Sequence, residues 1–136
     1  MRNEQFSSAL YVLMSLAYNR DRQLSSREMA MGLKTNPVVV RRLMSQLAEA
    51  GLIISRKGRD GGVRLALDPR QVTLADVYRA VGTPDMISDF ERPKVKSCPV
   101  SCAMKKIVGQ VSFRLEQDIQ KSLRQTKLSD LLHKID

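Results

Sequence analysis

Between Ser25 and Gly51 the chain reads "SSREMAMGLKTNPVVVRRLMSQLAEAG", and the three-residue break "KTN" at 34–36 constrains it most. Helix signals lie on both sides. Ser25-x-x-Glu28 is a capping box, where the serine and glutamate side chains each satisfy a free backbone N–H of the first turn. Met29, Ala30 and Leu33 then predict a short amphipathic helix. Asn36 can cap a second helix, with Pro37 at the first helical position, where its missing N–H costs little. Val40, Leu43, Leu47 and Ala50 would line the inner face of this helix, and Gly51 suits a left-handed stop. So short a turn sets the two helices at a steep angle.

A hairpin follows at once. "LIIS" is short and β-branched, and Val63, Leu65 and Leu67 alternate with Arg64 and Ala66, the period of a half-buried strand. Asp60-Gly61 marks the turn, because such tips need residues that tolerate positive φ. Around its glycines the hairpin carries Arg56, Lys57, Arg59 and Arg64. A solvated loop with incidental arginines would explain an isolated basic turn, so the meaning of this one depends on what precedes it.

Helix, short turn, helix, basic hairpin is the order of a winged helix-turn-helix. In that architecture the second helix lies in a DNA major groove. Its outward face would be Asn36, Val38, Val39, Arg41, Arg42 and Ser45. Arginine can fork onto guanine or phosphate, and valine can touch a thymine methyl. The hairpin would form the wing, with Arg56, Lys57, Arg59 and Arg64 directed at phosphates or a narrow minor groove.

Charge agrees with double-stranded DNA as the partner. The formal net charge is +9 over 136 residues, and the pI is about 10.0. Residues 1–82 hold 13 Lys/Arg against 7 Asp/Glu, and residues 83–136 hold 10 against 7. No helix pairs a Lys/Arg face with bulky aromatics, so a membrane surface fits less well. Aromatics are only 4% and Trp is absent, which disfavours single-strand binding on stacking platforms. No apolar run approaches the roughly 18 residues of a membrane span. With no signal-peptide pattern at the start, a cytoplasmic location is expected.

The rest of the chain reads as helical. Residues 4–19 place Phe6, Leu10, Leu13 and Ala17 on one stripe, and Thr73-x-x-Asp76 opens a helix with Leu74, Val77 and Val81 inward and Gly82 as its stop. Residues 83–99 are irregular, with Pro84, Pro93 and Pro99. A long helix over 100–124 carries Met104, Val108, Val111, Leu115 and Ile119 at spacings of four and three, a narrow seam typical of helix pairing. A last short helix covers 128–135. The expected fold is mainly α with a small β-hairpin: a winged helix-turn-helix domain over 1–82, then a sensor loop and dimerisation helices over 83–136. A single long helix has no core of its own, so it must pack back or pair with a second chain.

The stretches "SSREMAMGL", "NPVVVRRLMSQLAEAGLIISRKGRDGGVRLAL" and "TLADVYRAVG" resemble the Rrf2 family of bacterial regulators, which includes IscR-, NsrR- and CymR-like proteins. The resemblance covers roughly residues 5–82. It implies homodimers formed through the long C-terminal helix, recognition helices in successive major grooves, and wings toward the minor groove. Cluster-binding members carry three cysteines between the helix after the wing and the long helix. Here there are two, Cys98 and Cys102, in "SCPVSCAMKK", so one expected thiol is missing.

No cofactor or metal is therefore expected, although an iron–sulfur or metal-sensing regulator stays open as an alternative. Two Cys and the distant His133 make no convincing zinc set. A cysteine-based redox switch competes evenly with two inert thiols. Pro99 would place Cys98 at a helix cap and Cys102 in the first turns, where free N–H groups and Lys94, Lys96, Lys105 and Lys106 favour thiolate. A disulfide there would distort the start of the dimer helix. Catalysis is not expected: no phosphate loop or nucleophile elbow is present, and "GRDGG" sits on a hairpin. The chain thus reads as a dimeric DNA-binding regulator, a repressor, with an enzyme or small-molecule effector left open. The reading from another class is a protein-interaction or RNA-binding module.

Overall fold

Capping chemistry sets most helix boundaries. The computed structural model describes residues 4–56, 61–82 and 86–135. Its elements are α1 (Gln5–Tyr18), α2 (Ser26–Leu33), α3 (Pro37–Glu49), β1 (Ile53–Arg56), β2 (Gly62–Leu65), a 3₁₀ turn (Pro69–Gln71), α4 (Leu74–Val81), α5 (Pro99–Leu123) and α6 (Leu128–Leu132). The Ser25–Glu28 and Thr73–Asp76 capping boxes both form. The Asn36 side chain accepts from the Val38 N–H at 2.9 Å, with Pro37 in the first turn. The chain is mainly helical with one antiparallel hairpin, in which Ile53 pairs Leu65 and Arg56 pairs Gly62. No helix among the described residues is long and apolar enough to cross a membrane.

α2 and α3 end in the same way. At α3 the Leu52 N–H donates to Leu47 O and the Gly51 N–H to Ala48 O, both at 3.0 Å, with Gly51 at φ +79°. At α2 the Thr35 N–H donates to Ala30 O at 3.0 Å and the Lys34 N–H to Met31 O at 3.2 Å. Both are Schellman motifs, in which a left-handed residue lets two orphan carbonyls find donors. In α2 that residue is Lys34, at φ 54°.

The chain divides into two compact units, residues 1–83 with 123–136, and residues 84–122. This corrects the expected split after residue 82, because the C-terminal end folds with the first unit. Leu128 is fully buried in the core with Val12, Leu13, Leu47 and Val77. Backbone bonds from Leu74 N–H to Thr126 O and from Leu128 N–H to Val72 O, both 2.9 Å, tie the segment down. Each fully buried Leu in such a core contributes about 1.5–3 kcal/mol.

Four local expectations also differ. α1 buries Ala9, Val12, Leu13, Leu16 and Ala17, while Phe6 and Leu10 pack at the core margin. Elements on several sides of α1 demand more than one stripe: it contacts α2, α3, α4, α6 and β2. Ala50 is exposed, since it closes α3, and Leu52 takes the core position beyond the turn. Ala75 rather than Leu74 is buried with Val77 and Val81; Leu74 is half-buried at the helix start, where its N–H donates to Thr126 O. The second strand stops at Leu65, leaving Leu67 37% exposed, and the 3₁₀ turn capped by Asp68 follows.

In the second unit α5 is the one named element. It begins at Pro99, and none of its residues is buried. Val100, Ile107, Val111 and Phe113 are exposed.

Candidate nucleic-acid interface

The apolar positions of α3 fix which side faces out. Val40, Leu43 and Leu47 are buried, which turns Asn36, Val38, Val39, Arg41, Arg42 and Ser45 outward, and all six are exposed. Two large apolar side chains, Val38 and Val39, thus stand in solvent at 52% and 44% exposure beside two arginines.

The hairpin is sorted by its register. Residues directly paired across an antiparallel ladder share a face. Ile53, Val63 and Leu65 turn to the core, and Val63 also exchanges backbone bonds with Leu24 at 2.8 and 3.0 Å. The other face carries Ile54, Arg56 and Arg64, with Ile54 opposite Arg64, and all three are exposed. Lys57 and Arg59 lie outside the described residues.

Ion pairing separates these arginines from others. Arg22, Arg70 and Arg79 each donate to a carboxylate, on Glu28, Asp68 and Asp76, at 2.9, 3.1 and 2.6 Å. The Arg22 guanidinium and the Ser25 N–H hold the Glu28 carboxyl below its usual range. Arg70 does the same to Asp68, with a lesser contribution from Arg20. Arg41, Arg42, Arg56 and Arg64 form no ion pair among the described residues. Exposed cations without an internal counter-charge keep their field for an external anion. Sequence reasoning missed Lys34, an exposed cation in the turn before the Asn36 cap; lysine carries no signature of a left-handed conformation.

The thiols lie in the other unit. The Cys98 sulfur, one residue before α5, accepts from the Ser101 N–H at 3.4 Å. The Cys102 S–H donates to Val95 O at 3.4 Å, and the Cys98 N–H reaches the same carbonyl at 2.8 Å. The Ser101 hydroxyl accepts from the Val95 N–H at 3.0 Å and donates to Pro93 O at 3.4 Å. Both thiols are free and half-buried. The expected seam residues Met104, Val108, Leu115 and Ile119 are half-buried and Val111 is exposed. Phe113, nine residues after Met104, falls on the opposite side of the helix at 100° per residue.

The family model for iron-dependent transcriptional regulators of the Rrf2 type matches residues 2–134. The chain belongs to the Rrf2 family. It is 31% identical over 134 residues to YwnA of Bacillus subtilis (strain 168), which bears the name of an HTH-type transcriptional regulator, covering 98% of each chain. A transcriptional regulator from Lactobacillus plantarum, solved by crystallography, superposes with a TM-score of 0.83 at 25% identity, covering 97% of this chain and 89% of that one. CymR, the global cysteine regulator of B. subtilis, shares the fold with a TM-score of 0.71 at 23% identity, covering 100% and 98%. The protein is thus an Rrf2-family transcriptional regulator with a DNA-binding helix-turn-helix fold.

The side chains of the described residues do not fit the family's iron. No group of three or more His, Cys, Asp or Glu among the described residues could hold a metal ion. Cys98 and Cys102 are instead engaged with backbone groups, and His133 lies beyond α6 in the other unit.

Proposed function

We propose that this Rrf2 protein is a homodimeric, sequence-specific repressor in the cytoplasm, with α3 as its recognition helix. The supporting observation is the outward face of α3, where Arg41 and Arg42, in no ion pair among the described residues, stand beside exposed Val38 and Val39. Arginine reads guanine edges or phosphate and valine the thymine methyl, so this face can discriminate base sequence. The wing face of Ile54, Arg56 and Arg64, with Lys57 and Arg59, then supplies phosphate or minor-groove contacts. The stripe from Met104 to Ile119, extended by Val100 and Ile107, is covered by the same stripe of a second chain. Two recognition helices so related bind half-sites about one helical turn apart, or a multiple of it. Occupying such a site excludes polymerase.

Selection of bound genomic duplexes, followed by titration at several salt concentrations, tests the reading. Arg56→Ala should weaken binding to all duplexes and flatten the slope of log K against log salt by about one. Arg41→Ala should cost about 1–3 kcal/mol mainly on the selected site. Sequence-independent or absent duplex binding by the wild-type chain would refute the proposal.

A second reading makes the effector a hydroperoxide acting on the thiols, whose hydrogen bonds link them to the start of α5 and the loop before it. Cys98 takes the distal oxygen of the hydroperoxide, becoming a sulfenic acid and releasing an alcohol. The Cys102 thiol then displaces that oxygen as water and forms the disulfide. Cys102 thereby loses its S–H donor to Val95 O, one of the bonds that tie the first turn of α5 to the loop before it. A low-molecular-weight thiol would reverse the step. If the Cys98→Ser, Cys102→Ser double variant matches the wild type in DNA binding under both oxidant and reductant, the thiols are inert.

A further inference from the structure

We infer that Lys34 is a DNA-backbone contact, a residue whose cation is positioned by the turn between α2 and α3. This rests on the DNA-binding reading of α3. The observation is an internal contrast. α2 and α3 terminate in the same Schellman hydrogen-bond pattern, and both require one left-handed residue. At α3 that residue is Gly51, which has no Cβ to oppose a φ of +79°. At α2 it is Lys34, with φ 54° and ψ 50°. For an L-residue with a Cβ this conformation is disfavoured, and lysine lacks the short polar side chain that helps Asn or Asp adopt it. The structure around Lys34 enforces the conformation, since its N–H and that of Thr35 are both needed to close α2.

What the lysine adds is its charge. It is exposed and forms no ion pair among the described residues. It stands two residues before the Asn36 cap, at the end of α3 that enters the groove. In a helix-turn-helix the first helix crosses the backbone while the second lies in the groove, so the connecting turn meets the phosphates at the groove edge. A flexible four-carbon stem carrying a point charge suits a phosphate and reads no base.

The test compares Lys34→Gly and Lys34→Arg with the wild type, by thermal melting and by salt titration on a selected duplex and a scrambled one. Lys34→Gly should melt about 2–6 °C higher, because it relieves the left-handed strain. It should also bind both duplexes more weakly, with the salt slope falling by about 0.9 for each chain bound. At 0.1 M salt that slope corresponds to about an eight-fold loss per chain. Lys34→Arg should keep the wild-type slope and affinity. A Lys34→Gly chain with unchanged slope and affinity overturns the inference, as does a loss confined to the selected duplex. Failure of the wild-type chain to bind any duplex would instead remove the DNA-binding reading, and this inference with it.

Discussion

Gly62→Ala probes how the wing is fastened to the rest of the fold. A Cβ at position 62 would stand 2.7 Å from Leu24 O and 3.0 Å from Leu24 C, with Gln23 Cβ at 3.3 Å. The nearest obstacle is backbone, so no rotamer change relieves it. Something must shift, and the weakest connection is the Leu24–Val63 bridge, two hydrogen bonds of 3.0 and 2.8 Å. Each is worth about 1 kcal/mol net. Val63 and Leu24 are core residues at 2% and 4% exposure, and opening the bridge loosens their packing. A total cost of about 2–3 kcal/mol follows, or a melting temperature lower by about 10–20 °C for a unit of this size. Gly51 is the control, with nothing within 4 Å of its Cβ position but φ +79°. Gly51→Ala should cost about 1 kcal/mol through conformation alone. Urea denaturation measures both, and amide exchange at Leu24 and Val63 reports the bridge directly. If Gly62→Ala stays within 0.5 kcal/mol of the wild type with both amides still protected, the steric argument fails.

Leu128→Ala should destabilise the first unit by about 2–5 kcal/mol in urea, because it empties a fully buried site. Val111→Asp, which places a charge in the exposed α5 stripe, should give half the wild-type particle mass by light scattering at micromolar concentration and weaken operator binding. Glu28 has a folded-state pKa lowered mainly by the Arg22 hydrogen bond, so its stabilisation is present above the ordinary glutamate range and is lost as pH falls through the depressed value. The pair is exposed, so the difference between wild type and Glu28→Gln should be only about 0.2–0.5 kcal/mol at pH 7 and shrink below about pH 4. Alkylation mapped by mass spectrometry should label Cys98 before Cys102; the reverse order would contradict the assignment of Cys98 as the thiol oxidised first.

Features encoded within a few residues were legible in the sequence. Ser25-x-x-Glu28, Asn36-Pro37 and Thr73-x-x-Asp76 each place donor and acceptor within one turn, and each cap forms. The alternation around Val63 and the periodicity of Val40, Leu43 and Leu47 show which sides turn inward. The same logic would have found the 3₁₀ turn, since Asp68-Pro69-x-Gln71 is itself a capping box with proline at its first position. Ala50 and Leu74 were misassigned because periodicity does not show where a helix end leaves the core. The pairing of Thr73 with Lys127 joins segments more than fifty residues apart, and no local pattern announces it. On α3 the outward residues followed from the buried ones. That Arg41 and Arg56 form no ion pair among the described residues needed coordinates.

The burial of Leu128 also dictates an order of events during synthesis. Residues 1–83 emerge from the ribosome before Leu128, so their core lacks that fully buried side chain until α5 has been made. α3 is therefore carried by a unit whose core is completed only once the segment beyond α5 has been made. A message broken anywhere within α5 yields a product with α3 and the hairpin but without Leu128 in the core behind them. Such fragments should be less stable than the full chain by at least the cost of emptying the Leu128 site, about 2–5 kcal/mol.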